Sequence, residues 1–345
     1  MSQPLVDLTV SLRLHGAPDD ETVAGLAKAA AAGGVAVAVV GIDGTLLCDG
    51  PTVSAAVSAL RVARAHGVRL IPAISPVRSG GGLADLRTAE KAWREGHQDD
   101  ADVVTMVWRF AEPIDDALLL RRIGDLARAR GALVVVPSVD RSLSVGAVAV
   151  EGAVATRLGL PGMPEAAEAI GISRTIEVAR LTGARFLVSG VFTAVGASLI
   201  EAHAHLGVTG VVQAAHLLMD ETALVAMPYD TRLLQSPPLP TAASREALLA
   251  AVKRGALLVS SGHRHVPKRE RDLEMTRASP GGTALASMHR LLSTVLSPGE
   301  LALAASSVPA ALLGCAPSFT MTPMTTMTTA AVEDDLSILV RELSA

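Results

Sequence analysis

The feature that most constrains this chain is a run of eight apolar segments that alternate with helix-like ones: Val6–Leu12, Val35–Val40, Arg69–Ile74, Val103–Val107, Leu133–Val136, Phe186–Ser189, Val208–Val212 and Leu257–Ser260. Short apolar runs of this kind read as buried strands. Helical patterns fill the gaps at Asp20–Ala32, Thr52–His66, Leu83–Glu95, Asp115–Arg130, Thr193–Leu206 and Ser244–Arg254. The first of them is expected to be capped by the Asp19-Asp20 pair. The clearest unit lies between Arg157 and Phe186. There Pro161-Gly162 makes a turn and Pro164 sits where a first helical turn tolerates proline. Ala169, Ile172, Ile176 and Ala179 then recur at helical spacing until Gly183 ends the helix. Eight strands alternating with helices predict an α/β fold, a closed parallel (β/α)8 TIM barrel rather than an open sheet, with right-handed crossovers.

Composition narrows the function. With 345 residues, 50% of them apolar, the chain can bury one barrel of about 250 residues plus appendages. A net charge of −4 and seven aromatic residues offer neither a basic face nor stacking platforms, so no nucleic-acid partner is expected. The longest apolar run, Ala29–Ile42, is broken by Gly33-Gly34 and falls short of the ~20 residues of a spanning helix. The opening MSQPLVDL is not a signal peptide, and a cytoplasmic protein without membrane contact is expected. Cys48 and Cys315 are far apart with no CxxC spacing, which suits a reducing compartment.

Several stretches resemble the dihydroorotase branch of the metal-dependent amidohydrolases: AAAAGG at 29–34, LGLPGMP, LTGARF, HLLMDE at 216–221, SPPL at 236–239, SREALL at 244–249 and VPAALLG at 308–314. The resemblance runs from about Asp7 to about Gly314. It implies a barrel domain over residues 1–314 and, over 332–345, a remnant of the small β-sandwich that flanks the family's barrel; the Thr/Met-rich composition of 315–331 reads as a linker between them. EDDLSILV is similar to the last strand of that sandwich.

In such a barrel the site lies at the C-terminal ends of the strands. The resemblance implies zinc ligands there, and the residues in frame are others. The family's His-x-His-Leu-Arg after strand one is Thr9-Val10-Ser11-Leu12-Arg13. Its bridging carbamylated lysine or aspartate on strand four falls at Met106, its histidines after strands five and six at Pro137 and Gly190, and its Asp-His after strand eight at Ser261-Gly262. Lys28, Lys91, Lys253 and Lys268 all fall on helices or a loop. Thr9, Ser11, Met106, Pro137, Gly190 and Ser261 therefore read as degenerate catalytic positions, with no cofactor expected and no carboxylate base. Of the substrate-binding positions, Arg13 is kept, while Asp43 and Ser236 replace asparagines. The leading expectation is a non-catalytic dihydroorotase-like subunit of pyrimidine biosynthesis. The resemblance implies aspartate carbamoyltransferase as its partner, in an oligomer. One alternative is a cyclic amidohydrolase with a relocated site built from Asp43, His263 and His265; another is a small-molecule sensor using Arg13.

Overall fold

The computed structural model describes residues 3–13, 19–97, 105–315 and 333–344. Eight parallel strands form the barrel: β1 (Leu5–Arg13), β2 (Val35–Asp43), β3 (Arg69–Pro72), β4 (Val107–Arg109), β5 (Leu133–Pro137), β6 (Arg185–Ser189), β7 (Val208–Gln213) and β8 (Leu257–Ser260). They are laddered in two arcs, β1-β2-β3 and β8-β7-β6-β5-β4. Two single parallel bridges close the cylinder, Ile74 to Trp108 on one side and Ser11 to Arg264 on the other. At the first seam Ile74 N–H donates to the Val107 carbonyl at 2.9 Å and Arg109 N–H to the Ile74 carbonyl at 2.8 Å; at the second, Ser11 N–H donates to the His263 carbonyl at 2.9 Å. Strands covered on both faces must be apolar throughout, and Val35–Val40 is buried at every position.

Most strands lie where the apolar runs place them; the fourth does not. It was expected at Val103–Val107, but residues 101–104 lie outside the described residues and the strand starts at Val107. Met106 precedes it, its carbonyl accepting from Leu133 N–H. The run continues through Trp108, whose indole is fully buried, so the residue that reaches the mouth is Arg109.

The helices follow local capping chemistry. α1 (Val23–Ala32) starts at Thr22, whose hydroxyl accepts from Gly25 N–H. The expected Asp19-Asp20 cap is engaged elsewhere, with both carboxylates facing Arg269. α2 (Gly50–Leu60) has a reciprocal capping box between Asp49 and Thr52, and passes at Leu60 into a 3-10 turn over Arg61–His66. α3 (Leu86–Gly96) and α4 (Ala117–Arg130) are capped by Asp85 and Asp116. α5 (Glu165–Thr182) begins after Pro164 and stops at Gly183, which adopts a φ of 66° that favours glycine. α6 (Ala194–His203) and α7 (Ala242–Lys253) follow, each capped by a threonine, Thr193 and Thr241.

The tail departs from expectation. Asp335–Ser344 is a helix, α8, not the last strand of a sandwich. Leu336 and Leu339 are buried at helical spacing, and Leu343 is partly buried one turn on. Asp335 fixes the helix to the barrel by accepting from both terminal nitrogens of Arg271 (2.9 and 3.1 Å) and from the backbone and hydroxyl of Thr283 (2.8 and 3.0 Å). Asp334 accepts from the Ser287 N–H and hydroxyl in the same way. The helix thus takes its place by carboxylate bonds to the segment that follows β8. The linker expected at 315–331 lies, apart from Cys315, outside the described residues.

Candidate functional site

The strand ends surround one open cavity of about 670 Å³. Of the positions singled out by sequence, Thr9, Ser11, Arg13, Asp43, Pro137 and Ser236 share its wall. Met106 does not, because it lies before β4. Gly190 turns with a φ of 80°, and a Cβ there would lie 2.6 Å from the Pro237 ring, so a ligating side chain has no room. Ser261 gives its backbone N–H to the buried Asp7 carboxylate at 2.9 Å, and its hydroxyl accepts from His263 N–H at 3.0 Å.

The group that dominates the cavity is one that sequence reading passed over. Arg109 leaves the end of β4 and crosses the bore, donating to the Val10 carbonyl at 2.6 Å and to the Ser11 hydroxyl at 2.9 Å. Gly41 on β2 makes this crossing possible, since a Cβ there would stand 2.7 Å from an Arg109 terminal nitrogen. Burial lowers the Arg109 pKa, against the attraction of Asp43 and Asp7, yet a guanidinium stays charged at physiological pH. The signal was an arginine two residues beyond an apolar run, hidden because Trp108 belongs to that run.

The other two arginines at the mouth are paired. Arg13 bonds Glu270, which raises the arginine pKa and lowers that of the carboxylate. Arg264 donates to Asp43 at 2.7 Å. Neither Arg13 nor Asp43 is therefore poised as the sequence reading expected. The relocated site also fails on geometry. His263 is buried; its Nδ1 accepts from Ala284 N–H (3.2 Å) and Leu285 N–H (3.4 Å), so its Nε2 carries the proton and donates to Glu21 at 3.0 Å. Such an imidazole has no free nitrogen for a metal. His265 lies outside the cavity lining, its Nδ1 buried without a hydrogen-bond partner.

A closed parallel barrel with its open end at the strand tips is the architecture of the TIM-barrel amidohydrolases, and solved structures agree. L-hydantoinase from Arthrobacter aurescens superposes with a TM-score of 0.68 at 16% identity over 90% of this chain and 71% of that one. Dihydroorotase from Saccharomyces cerevisiae does so with a TM-score of 0.70 at 10% identity over 92% and 86%. These likenesses establish the fold. Sequence relatives carry the finer statement: a dihydroorotase from Pelotomaculum thermopropionicum is 30% identical over 96% of this chain and 77% of its own length. A dihydroorotase-like protein from Pseudomonas putida is 32% identical over 90% and 72%. The chain belongs to the dihydroorotase family. A dihydroorotase from Anaeromyxobacter dehalogenans, 33% identical, is matched over 62% of its length. No protein-family model matches the chain.

Kinship corrects one expectation. A chain of this kind was expected to take no cofactor, but the dihydroorotases to which it belongs are zinc-dependent enzymes, so zinc is the cofactor that the family implies. Bound in such a site, zinc activates water and polarises a carbonyl. The donors in frame here do not fit it. The Thr9 hydroxyl donates to Ser260 at 2.7 Å, Ser11 is held by Arg109, and a guanidinium beside them repels a cation. Among the described residues, no three His, Cys, Asp or Glu side chains are grouped to hold a metal ion. Among the same residues no helix is long and apolar enough to cross a membrane.

Proposed function

We propose that the chain is a non-catalytic, cytoplasmic dihydroorotase-like subunit that serves through its exterior, assembled in an oligomer with aspartate carbamoyltransferase. The observation that carries the first half is the Arg109 guanidinium fixed to Ser11 at the centre of the mouth. Ring opening of a cyclic amide calls for a base near the attacked carbonyl. At the end of β8, where the family's base is expected, stands Ser261, whose backbone is committed to Asp7. Of the two carboxylates on the wall, Asp43 is held by Arg264 and Glu112 is exposed. A barrel whose packing residues persist while its mouth residues differ is what retention for surfaces would leave.

The test is direct. Purified protein, with and without added zinc, is assayed for ring opening of dihydroorotate and for the reverse closure; the expected rate equals the blank in every case. Co-expression with the transferase is expected to give one co-eluting assembly by light scattering. Measurable turnover would end the catalytic half of the reading, and a monomer that ignores the transferase would end the other half.

A further inference from the structure

We propose that α8 is a releasable strap: seated on the barrel it holds Arg13 in its ion pair at the mouth, and on leaving it frees that arginine. The two are joined by the one-turn helix Lys268–Arg271, whose consecutive side chains are tied in three directions. Arg269 bonds Asp19 and Asp20, ahead of α1. Glu270 bonds Arg13 at the end of β1, and its other oxygen accepts from the Ser279 hydroxyl at 2.9 Å. Arg271 donates to both oxygens of Asp335, the first residue of α8. One turn makes too few backbone bonds to hold itself, so what lies around it decides where it sits. When Asp335 leaves, Arg271 loses the carboxylate it is bonded to, and the turn that carries Arg271 carries Glu270 with it.

α8 has the properties of a part that can leave. Its 10 residues fall short of the ~12–15 that a helix needs to persist alone, so its seat holds it. That seat is small: Leu336 and Leu339 are buried, Asp334 and Asp335 bond the segment after β8, and Glu342 meets Arg232 at 2.8 Å. An element held by few groups opens at a lower free energy than the whole fold. The seat also borders the mouth directly, because Gln235 and Gly262 line both the cavity and the cleft beneath Leu336 and Leu339. The Thr231 hydroxyl donates to the Arg271 carbonyl at 2.9 Å and Ser279 N–H to the Glu270 carbonyl at 3.0 Å. These two bonds keep the turn attached to the barrel while its side chains change partners. Coupling of this kind is reciprocal: the factor by which release of α8 frees Arg13 is the factor by which freeing Arg13 releases α8.

The experiment treats the full chain with phenylglyoxal, which reacts with unpaired arginine. Modification of Arg13 is read by mass spectrometry, and release of α8 by the rate of limited proteolysis next to Asp335. Asp335→Ala is expected to speed both, Arg13 modification by at least about fivefold. Glu270→Gln, which breaks the pair directly, sets the upper limit of that rate. Arg254→Gln removes an exposed ion pair with Glu201 and is expected to leave the Arg13 rate within about twofold of the wild type. Because Asp335→Ala also takes a partly buried carboxylate out of the fold, Arg13→Gln provides the reverse arm. It leaves α8 and its seat untouched, and is expected to speed the cutting of α8 by at least about fivefold. A wild-type rate at Arg13 in Asp335→Ala, whether α8 is cut or not, would overturn the proposal. So would unchanged cutting of α8 in Arg13→Gln, or an equal rise at Arg13 in Arg254→Gln.

Discussion

Glu168 shows at the residue scale how burial sets chemistry in this chain. Its carboxyl is fully buried behind α6, accepting from Phe192 N–H (2.8 Å) and Thr193 N–H (2.9 Å) and from the Thr193 hydroxyl. Burial outweighs those donors and pushes its pKa up to about 8. A folded pKa above the unfolded value of 4.5 means that the contribution of the protonated form is full below 4.5 and is lost as pH rises toward 8. Glu168→Gln cannot titrate and offers one acceptor fewer, so it is expected to be less stable by about 2 kcal/mol at about pH 5. The gap should narrow as pH rises to about 8, read by chemical denaturation at each pH; a widening gap would contradict this account. His216 acts in the opposite sense but cancels in that comparison. Burial lowers it to about 4, so wild-type stability declines as pH falls from about 6.5 toward 4. Asp7, with one oxygen on Thr9 and the other on Ser261, ties β1 to the residue after β8. Asp7→Ala leaves two buried N–H groups without acceptors and is expected to cost roughly 3 kcal/mol, measured by urea unfolding.

Among the elements, α8 depends on few groups and is therefore easy to test. Burial pushes the Asp335 carboxyl up, but Arg271 and Thr283 outweigh it and leave the pKa below the ordinary carboxylate range. A depressed folded pKa contributes stability above the unfolded value of 3.8 that disappears as pH falls below it. Asp335→Ala is expected to lower global stability by about 2 kcal/mol at neutral pH. It should also make a backbone site near Asp335 accessible to protease, seen as a clipped product; an unclipped, fully stable variant would show that the buried leucines alone hold the helix. The sequence pattern misplaced this element for a physical reason. EDDLSILV carries too few residues to separate strand from helix by periodicity, and what decides it is the reach of Asp334 and Asp335 to a segment about fifty positions away. The same holds for β4, where the apolar signal was read as ending at Val107 but the strand runs on to Arg109.

For the whole molecule, the alternation of apolar runs and helical patterns was enough to read the closed barrel, because strands covered on both faces cannot hide their composition. Which side chains meet at the mouth was legible only in part. Thr9, Ser11, Arg13, Asp43, Pro137 and Ser236 share the cavity wall: Arg13, Asp43 and Pro137 end their strands, Thr9 and Ser11 lie within β1, and Ser236 lies in the segment after β7. Their pairing was not legible, since Arg264 and Glu270 reach the mouth from the segment after β8, the latter from a one-turn helix at Lys268–Arg271, whose course no local pattern fixes. The two arcs of the cylinder meet at single bridges, whereas β6 is laddered on both sides. Amide hydrogen exchange is accordingly expected to be faster at Ser11, Ile74 and Arg109 than at Leu187 or Val211, and equal protection throughout would show that the seams are as firm as the ladders.

Arg109 stands at one of those seams and reaches across to the strand that borders the other. Its amide is bonded to Ile74, and its side chain ends on Val10 and Ser11, so one residue laces the five-strand arc to the three-strand arc at two points. Without that guanidinium, the two arcs would lose their cross-bore tie and be left to the single bridges at their seams.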